Sequence, residues 1–220
     1  MQNEKQKLRG VLFRVFTLVA MGLIAWAYVS PIWWVTLKAP QYPPDAYPEG
    51  VRIHFHFTGV KNGCTQLPEG EVFEDEILDC VEEMNTINHY IGMEPVEVGA
   101  QREIAFAPYG VAGTLFLLFL FLLYSGPLWW VLPLPGMFLS VIFVLDYAGW
   151  LWWFGHNLHD WAAFSVKEFM PTVLGEAKVA QFATYSYPHS GFYMLGAASL
   201  LLLLSLLIRM KQLRQKDISM

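Results

Sequence analysis

The side chains able to do metal or redox chemistry are unevenly placed: all six histidines and both cysteines fall in two segments, 38–109 and 155–189. The densest group is Met84-Asn-Thr-Ile-Asn-His89-Tyr-Ile-Gly-Met93-Glu-Pro95, which brackets an imidazole with two thioethers. That donor set suits copper, Cu(I) above all. If a helix persists through Met93, His89 and Met93 are i, i+4 neighbours on one face. Met84, five residues before His89, lies off that face unless the helix unwinds near Asn88. The same residues also read as fold: Met84 and Ile87 in a core, Met93 capping it, His89 bonded to a backbone group.

Other groups invite the same weighing. His54 and His56 point to one face of a strand and either chelate a metal or form the polar face of an edge strand. His156 and His159, followed by Asp160, are within one helical turn. They are a secondary metal pair, or interfacial anchors among Trp150, Trp152, Trp153 and Trp161. Cys64 and Cys80 enclose fifteen residues. A disulfide there stabilises by about 3 kcal/mol in the chain-entropy model; the alternative is a thiolate metal site. Asp146 is the one acid inside an expected span, and a carboxylate at that depth is a functional candidate by default.

The elements that must position these residues follow from hydropathy. The chain has 220 residues, 55% hydrophobic and 15% charged, with a mean hydropathy of +0.37. Soluble domains carry about 25% charged residues, so this is membrane-protein composition. Apolar runs over 11–37, 110–131, 136–154 and 190–208 are each long enough to cross a bilayer core. The fold class expected is therefore an α-helical integral membrane protein of four transmembrane helices, with a small extracytoplasmic α+β domain at 38–109. Inside that domain, residues 51–60 alternate with the period of a half-buried strand. Residues 72–89 have the three- and four-residue spacing of an amphipathic helix, ended by Gly92 and Pro95. A second strand is expected near 96–106, and residues 155–189 are expected to form a loop with an interfacial helix around 161–174.

Charge orients the spans. The termini hold Lys5, Lys7, Arg9, Arg14, Arg209, Lys211, Arg214 and Lys216, whereas 38–109 holds thirteen acids against four bases. The positive-inside rule then puts both termini in the cytoplasm and both large loops outside a bacterial inner membrane. No basic patch suited to nucleic acid is present. Haem-attachment, phosphate-loop, nucleophile-elbow and His-Glu-x-x-His signatures are absent from the sequence, which does not favour a self-contained enzyme.

Two stretches carry a resemblance. Ala39-Pro-Gln-Tyr42-Pro with Tyr47-Pro-Glu-Gly50, then Ile87-Asn-His-Tyr-Ile-Gly-Met93 and Pro95, resemble small polytopic bacterial membrane proteins associated with nitrous oxide reductase and its copper-centre maturation. The resemblance covers roughly 31–108. It points at Asn88, His89, Tyr90, Gly92 and Met93, and implies a setting of copper and respiratory nitrogen metabolism (denitrification). The chain departs from that pattern by Pro44-Asp-Ala-Tyr47 within the first stretch and by its cysteine pair. The function expected is a membrane accessory protein that binds copper on the periplasmic side and supports a copper redox enzyme. His89 and Met93 would be ligands, with Met84, His54 and His56 next in line. The alternative is a non-catalytic subunit of a membrane respiratory complex that docks its partner through 38–109.

Overall fold

A computed structural model describes residues 2–64, 78–163, 165–179 and 181–218. Four of its helices contain segments long and apolar enough to cross a membrane: Gln6–Val29, Gln101–Leu123, Trp129–His156 and Ser190–Arg214. No more than 28% of any of these apolar windows is buried within the chain. Their remaining surface suits lipid, and four such helices fit a multi-pass membrane protein.

The chain divides into two compact units. The first takes residues 1–30, 106–143 and 191–220, and so holds α1 (Gln2–Val29), most of α3 (Gln101–Leu123), the start of α4 (Leu134–His156) and most of α5 (Ser190–Ile218). Its core gathers Phe13, Ala20, Ile24, Leu118, Phe121, Leu195 and Leu202. Polar groups tie α1 to α5: the Thr17 and Ser205 hydroxyls are 2.6 Å apart, and both reach the carbonyl of Phe13. Internal pairing of this kind is how buried hydroxyls are accommodated between membrane helices.

The second unit, residues 31–105 and 144–190, is built on an antiparallel sheet in the order β3-β2-β1-β5-β4. Its strands are β1 (Trp33–Lys38), β2 (Val51–His56), β3 (Gly59–Asn62), β4 (Gly175–Val179) and β5 (Phe182–Pro188). The expected strand at 51–60 is present, as two strands joined by a tight turn. The expected amphipathic helix is present as α2 (Cys80–Tyr90); its expected first turns, at 72–77, lie outside the described residues. Asp79 caps it, its carboxylate accepting from the backbone N–H of Val81 and Glu82, which satisfies two of the first-turn donors. Cys80, Met84 and Ile87 form its buried face against Val51 and Ile53 of β2.

Several expected boundaries change. The first apolar run is helical only to Val29; after Pro31 the chain becomes β1, the central strand. Pro31 cannot continue the helix, and Trp-Trp-Val-Thr is strand-forming composition. The strand expected near 96–106 is instead a 3-10 turn, Val96–Val98, followed by the start of α3 at Gln101. The interfacial helix expected around 161–174 is not formed: residues 165–174 carry no helix, and the chain proceeds into the β4–β5 hairpin. Pro171 interrupts that stretch, and the β-branched and aromatic residues of Thr184-Tyr-Ser-Tyr187 favour strand. The domain is thus composite, pairing β5 from the second loop directly with β1.

Tyr147 of α4 meets this sheet at a buried polar junction. The Trp33 indole N–H donates to Ser186 Oγ at 2.8 Å, and Ser186 in turn donates to the carbonyl of Val173 at 2.8 Å. That leaves the Tyr147 hydroxyl, 3.3 Å away, as donor to Ser186. One serine joins β1, β5, α4 and the 165–174 segment.

Candidate functional site

The loop after α2 shows what each motif residue does. Gly92, at φ +80°, reverses the chain, the left-handed conformation that glycine adopts without penalty at a helix end. Its N–H donates to His89 O, and the N–H of Met93 donates to Asn88 O at 2.8 Å. The Asn88 side chain, buried, reaches the carbonyl of Glu94. Asn85 then fixes the exit, accepting from Val96 N–H at 2.9 Å and donating to the Glu97 carboxylate. Met93 is 9% exposed. Asn88, Gly92 and Met93 are therefore occupied in forming the turn, while His89 and Tyr90 are held out at the surface.

The loop is braced from the other segment. His159 N–H donates to Gly92 O at 2.8 Å, and Ala163 N–H to Tyr90 O at 3.0 Å. A Cβ added at Gly92 would stand 2.7 Å from the carbonyl oxygen of His159, so only glycine permits this approach. The His159 imidazole Nε2 lies 2.8 Å from Glu94 Oε1. Its ring stacks on Trp161 with centroids 3.8 Å apart and planes 9° from parallel. His89 lies near-parallel to the same indole, at 6.3 Å and 16°.

The first resemblance stretch serves the same helix. Tyr42 donates to Glu83 Oε2 of α2 at 3.0 Å and packs edge-on against Tyr47. Burial, then the Glu83 carboxylate, push the Tyr42 hydroxyl above its ordinary range, so it stays protonated and donates. Gly50, at φ +76° and 2.6 Å from Leu37 O when given a Cβ, closes the stretch against β1. The Cys64–Cys80 disulfide is formed, with Cα atoms 6.0 Å apart, and ties the end of the β2–β3 hairpin to the first residue of α2. The thiolate-metal alternative falls away.

Not all expected donors converge. Met84 is 4% exposed and clusters with Val51, Ile53, Cys80 and Ile87 in the α2–sheet core, which removes it from any surface site. His54 turns its ring to His189, with centroids 5.1 Å apart, and lies on the strand that carries Arg52 and His56. Arg52 itself bonds Glu49 and Thr36 and covers Trp34. His156 stays within α4, its Nδ1 2.8 Å from Trp152 O and its ring stacked on that indole, so it does not join His159. Asp146 is partly exposed on α4, and it is not the only acid in a span, because α3 begins early enough to include Glu103. Among the described residues, no three His, Cys, Asp or Glu side chains are grouped to hold one metal ion.

Two residues escape sequence reasoning: Glu94, as the partner of His159, and His189, as the partner of His54. The β-forming run at 182–187 is the available signal for His189, since a strand there brings His189 N–H to Ile32 O beside β2. No spacing rule pairs His159 with Glu94 across so long a separation in the chain.

No family model matches this chain, and no curated protein sequence matches it either.

Two expected outcomes separate core from site. Met84→Leu is volume-conserving, so it is expected to change stability by less than about 1.5 kcal/mol. Thermal unfolding checks it. The second concerns pH. Burial, then His189, Arg52 and His56, lower the His54 imidazole from its ordinary 6.5 to about 4, and burial and Arg52 lower His189 as well. The unfolded chain then binds protons that the folded one refuses, so stability is full above pH 6.5 and falls as pH drops toward 4. The unfolding midpoint of the full chain is expected to decline over that window, with a shallower decline in His54→Gln.

Proposed function

We propose that the protein is a membrane accessory protein that works from the outer side of a bacterial cytoplasmic membrane. It supports the assembly or function of a copper redox enzyme there, with nitrous oxide reductase the enzyme that the resemblance favours. Copper would be met at the loop after α2 through His89. One observation carries this reading: within the motif, Asn88, Gly92 and Met93 are used up by the turn, whereas His89 is held at the surface on a braced loop. Its imidazole makes no hydrogen bond of its own among the described residues, so its nitrogens stay open to an incoming ion. The acidic balance of 38–109 and the basic termini support the outward placement.

Our reading drops Met84 and His54 from the donor set, because Met84 is buried in the core and the His54 ring faces His189. Anaerobic Cu(I) titration of the detergent-solubilised full chain against a competing chelator tests the reading. One Cu(I) per chain is expected, lost in His89→Ala and kept in Tyr90→Phe. Equal binding by wild type and His89→Ala overturns it.

The second reading, a non-catalytic subunit that docks a partner through this loop, is favoured by the exposure of Tyr90 (52%) and Trp161 (49%) on either side of the brace. Exposed aromatic rings are the residue types that anchor protein interfaces. Native mass analysis after gentle extraction decides it: a chain that emerges alone under every condition contradicts docking.

A further inference from the structure

Where α1 and α5 run side by side, the chain gathers positive charge that its own acids do not balance. The two helices pack antiparallel here: a Cβ added at Gly10 would lie 3.5 Å from the Gln212 side chain, and the Ser205 hydroxyl reaches the carbonyl of Phe13. Together they carry eight bases against two acids, Glu4 and Asp217. Among the described residues, neither Arg14 nor Arg209 forms an ion pair with a carboxylate.

Arg209 is held in place by α1 and by the chain just past α3. Its Cζ lies over the Phe13 ring, 4.5 Å from the centroid. Its Nη2 donates at 2.9 Å to the carbonyl of Tyr124 and to the Ser125 hydroxyl. Holding the last carbonyls of a helix is an ordinary task for a basic side chain, but it occupies Nη2 alone. Nε is buried and has no partner among the described residues. Nη1 makes no hydrogen bond there either, and it is not buried, so its two N–H groups remain on offer. Arg14, exposed on α1, is close enough to act electrostatically on the same guanidinium. A guanidinium does not shed its proton to relieve such repulsion. An anion relieves it instead.

Both arginines fall inside apolar spans, Gln6–Val29 and Ser190–Arg214, toward the ends that carry the chain termini. The anion that a bilayer supplies at such a place is a lipid phosphate, and basic pockets between membrane helices take anionic headgroups. The planar fork of arginine matches phosphate oxygens well. We infer that this end of the bundle binds the headgroup phosphate of an anionic phospholipid, with Arg209 Nη1 as the donor and Arg14 as the second positive charge. Phe13, Tyr124 and Ser125 pre-order the guanidinium, which lowers the entropy cost of binding. The site is independent of the copper reading.

The test uses the full chain in neutral detergent, titrated with phosphatidylglycerol, phosphatidylcholine or inorganic phosphate. Tryptophan fluorescence follows the unfolding midpoint, and native mass spectrometry counts retained lipid. Phosphatidylglycerol is expected to raise the midpoint and to stay bound, and phosphatidylcholine to do neither. Arg209→Gln should weaken the phosphatidylglycerol effect by more than about ten-fold, as for loss of a hydrogen bond to a charged group. Lys7→Gln removes the same charge elsewhere on α1 and should weaken it by no more than about five-fold, the worth of one base near an anionic surface. Should Arg209→Gln fail to fold, Arg14→Gln decides. Arg14 is exposed and makes no hydrogen bond among the described residues, and its loss should weaken phosphatidylglycerol more than Lys7→Gln does. Equal stabilisation by the two lipids, or equal weakening in the site variants and Lys7→Gln, overturns the proposal. Displacement of phosphatidylglycerol by millimolar inorganic phosphate would show that the ligand is a soluble phosphate group and overturn its assignment to lipid.

Discussion

Gly92→Val is expected to detach the motif loop and to destabilise the sheet unit by about 2–3 kcal/mol. An L-residue in the left-handed region costs roughly 1–2 kcal/mol, and Gly92 sits at φ +80°. The new Cβ would lie 2.7 Å from the backbone oxygen of His159 and 3.0 Å from the Ala162 side chain. Backbone does not yield as a flexible side chain does, so the brace must open. That gives up the His159 N–H to Gly92 O bond, worth about 1 kcal/mol, and with it the positions of Glu94 and Trp161 relative to His89. Thermal unfolding of the solubilised protein should show a lower midpoint, and Cu(I) affinity should fall even though no donor has been removed. An unchanged midpoint with intact copper binding would mean that the loop is not braced as described.

The second large effect belongs to the disulfide. Replacing both Cys64 and Cys80 by alanine is expected to cost about 3 kcal/mol in the chain-entropy model for a loop of this length. Cys80 is fully buried at the start of α2, next to Asp79, and its bridge holds that end of the helix to the sheet. The backbone N–H groups of Cys64 and Cys80 both donate to Asn62 Oδ1, and those bonds survive the substitution. The fold should therefore persist with reduced stability. Wild type under a strong reductant should unfold at the same midpoint as the double variant, while the double variant itself is indifferent to reductant. A midpoint that does not move in either case would show that the Asn62 bonds and the α2–sheet core suffice.

Much of the fold is legible in the sequence because its signals are local. Four apolar runs become four helices, the alternation of Val51, Ile53 and Phe55 becomes β2, and Cys80, Met84 and Ile87 become the buried face of α2. The central strand is hidden by continuity: Trp33 to Leu37 extends the apolar run of α1, and hydropathy does not distinguish a buried strand from the end of a span. Ser30-Pro31 is the break, and a proline after a helix marks an end. Strand β5 is hidden for another reason. Its register with β1, Trp33 opposite Pro188 through Lys38 opposite Ala183, is a long-range pairing that no local window contains.

The candidate site is half legible. His89 stands out by its unusual company, but the thioether that draws attention to it, Met84, is core. The imidazole beside the same indole, His159, lies in a segment whose composition suggests an interfacial helix. What places it is the left-handed turn at Gly92 and the backbone bonds that follow from it. Residue type alone overweights methionine as a ligand, because its flexible thioether is equally good at filling a core.

X-ray absorption spectroscopy of the Cu(I)-loaded full chain tests the proposed copper site most directly. Imidazole ligation gives nitrogen scatterers with the outer-shell pattern of the ring; that pattern is expected in wild type and should be lost in His89→Ala. A copper environment of sulfur alone, or one identical in wild type and His89→Ala, would contradict the assignment of His89 as a ligand.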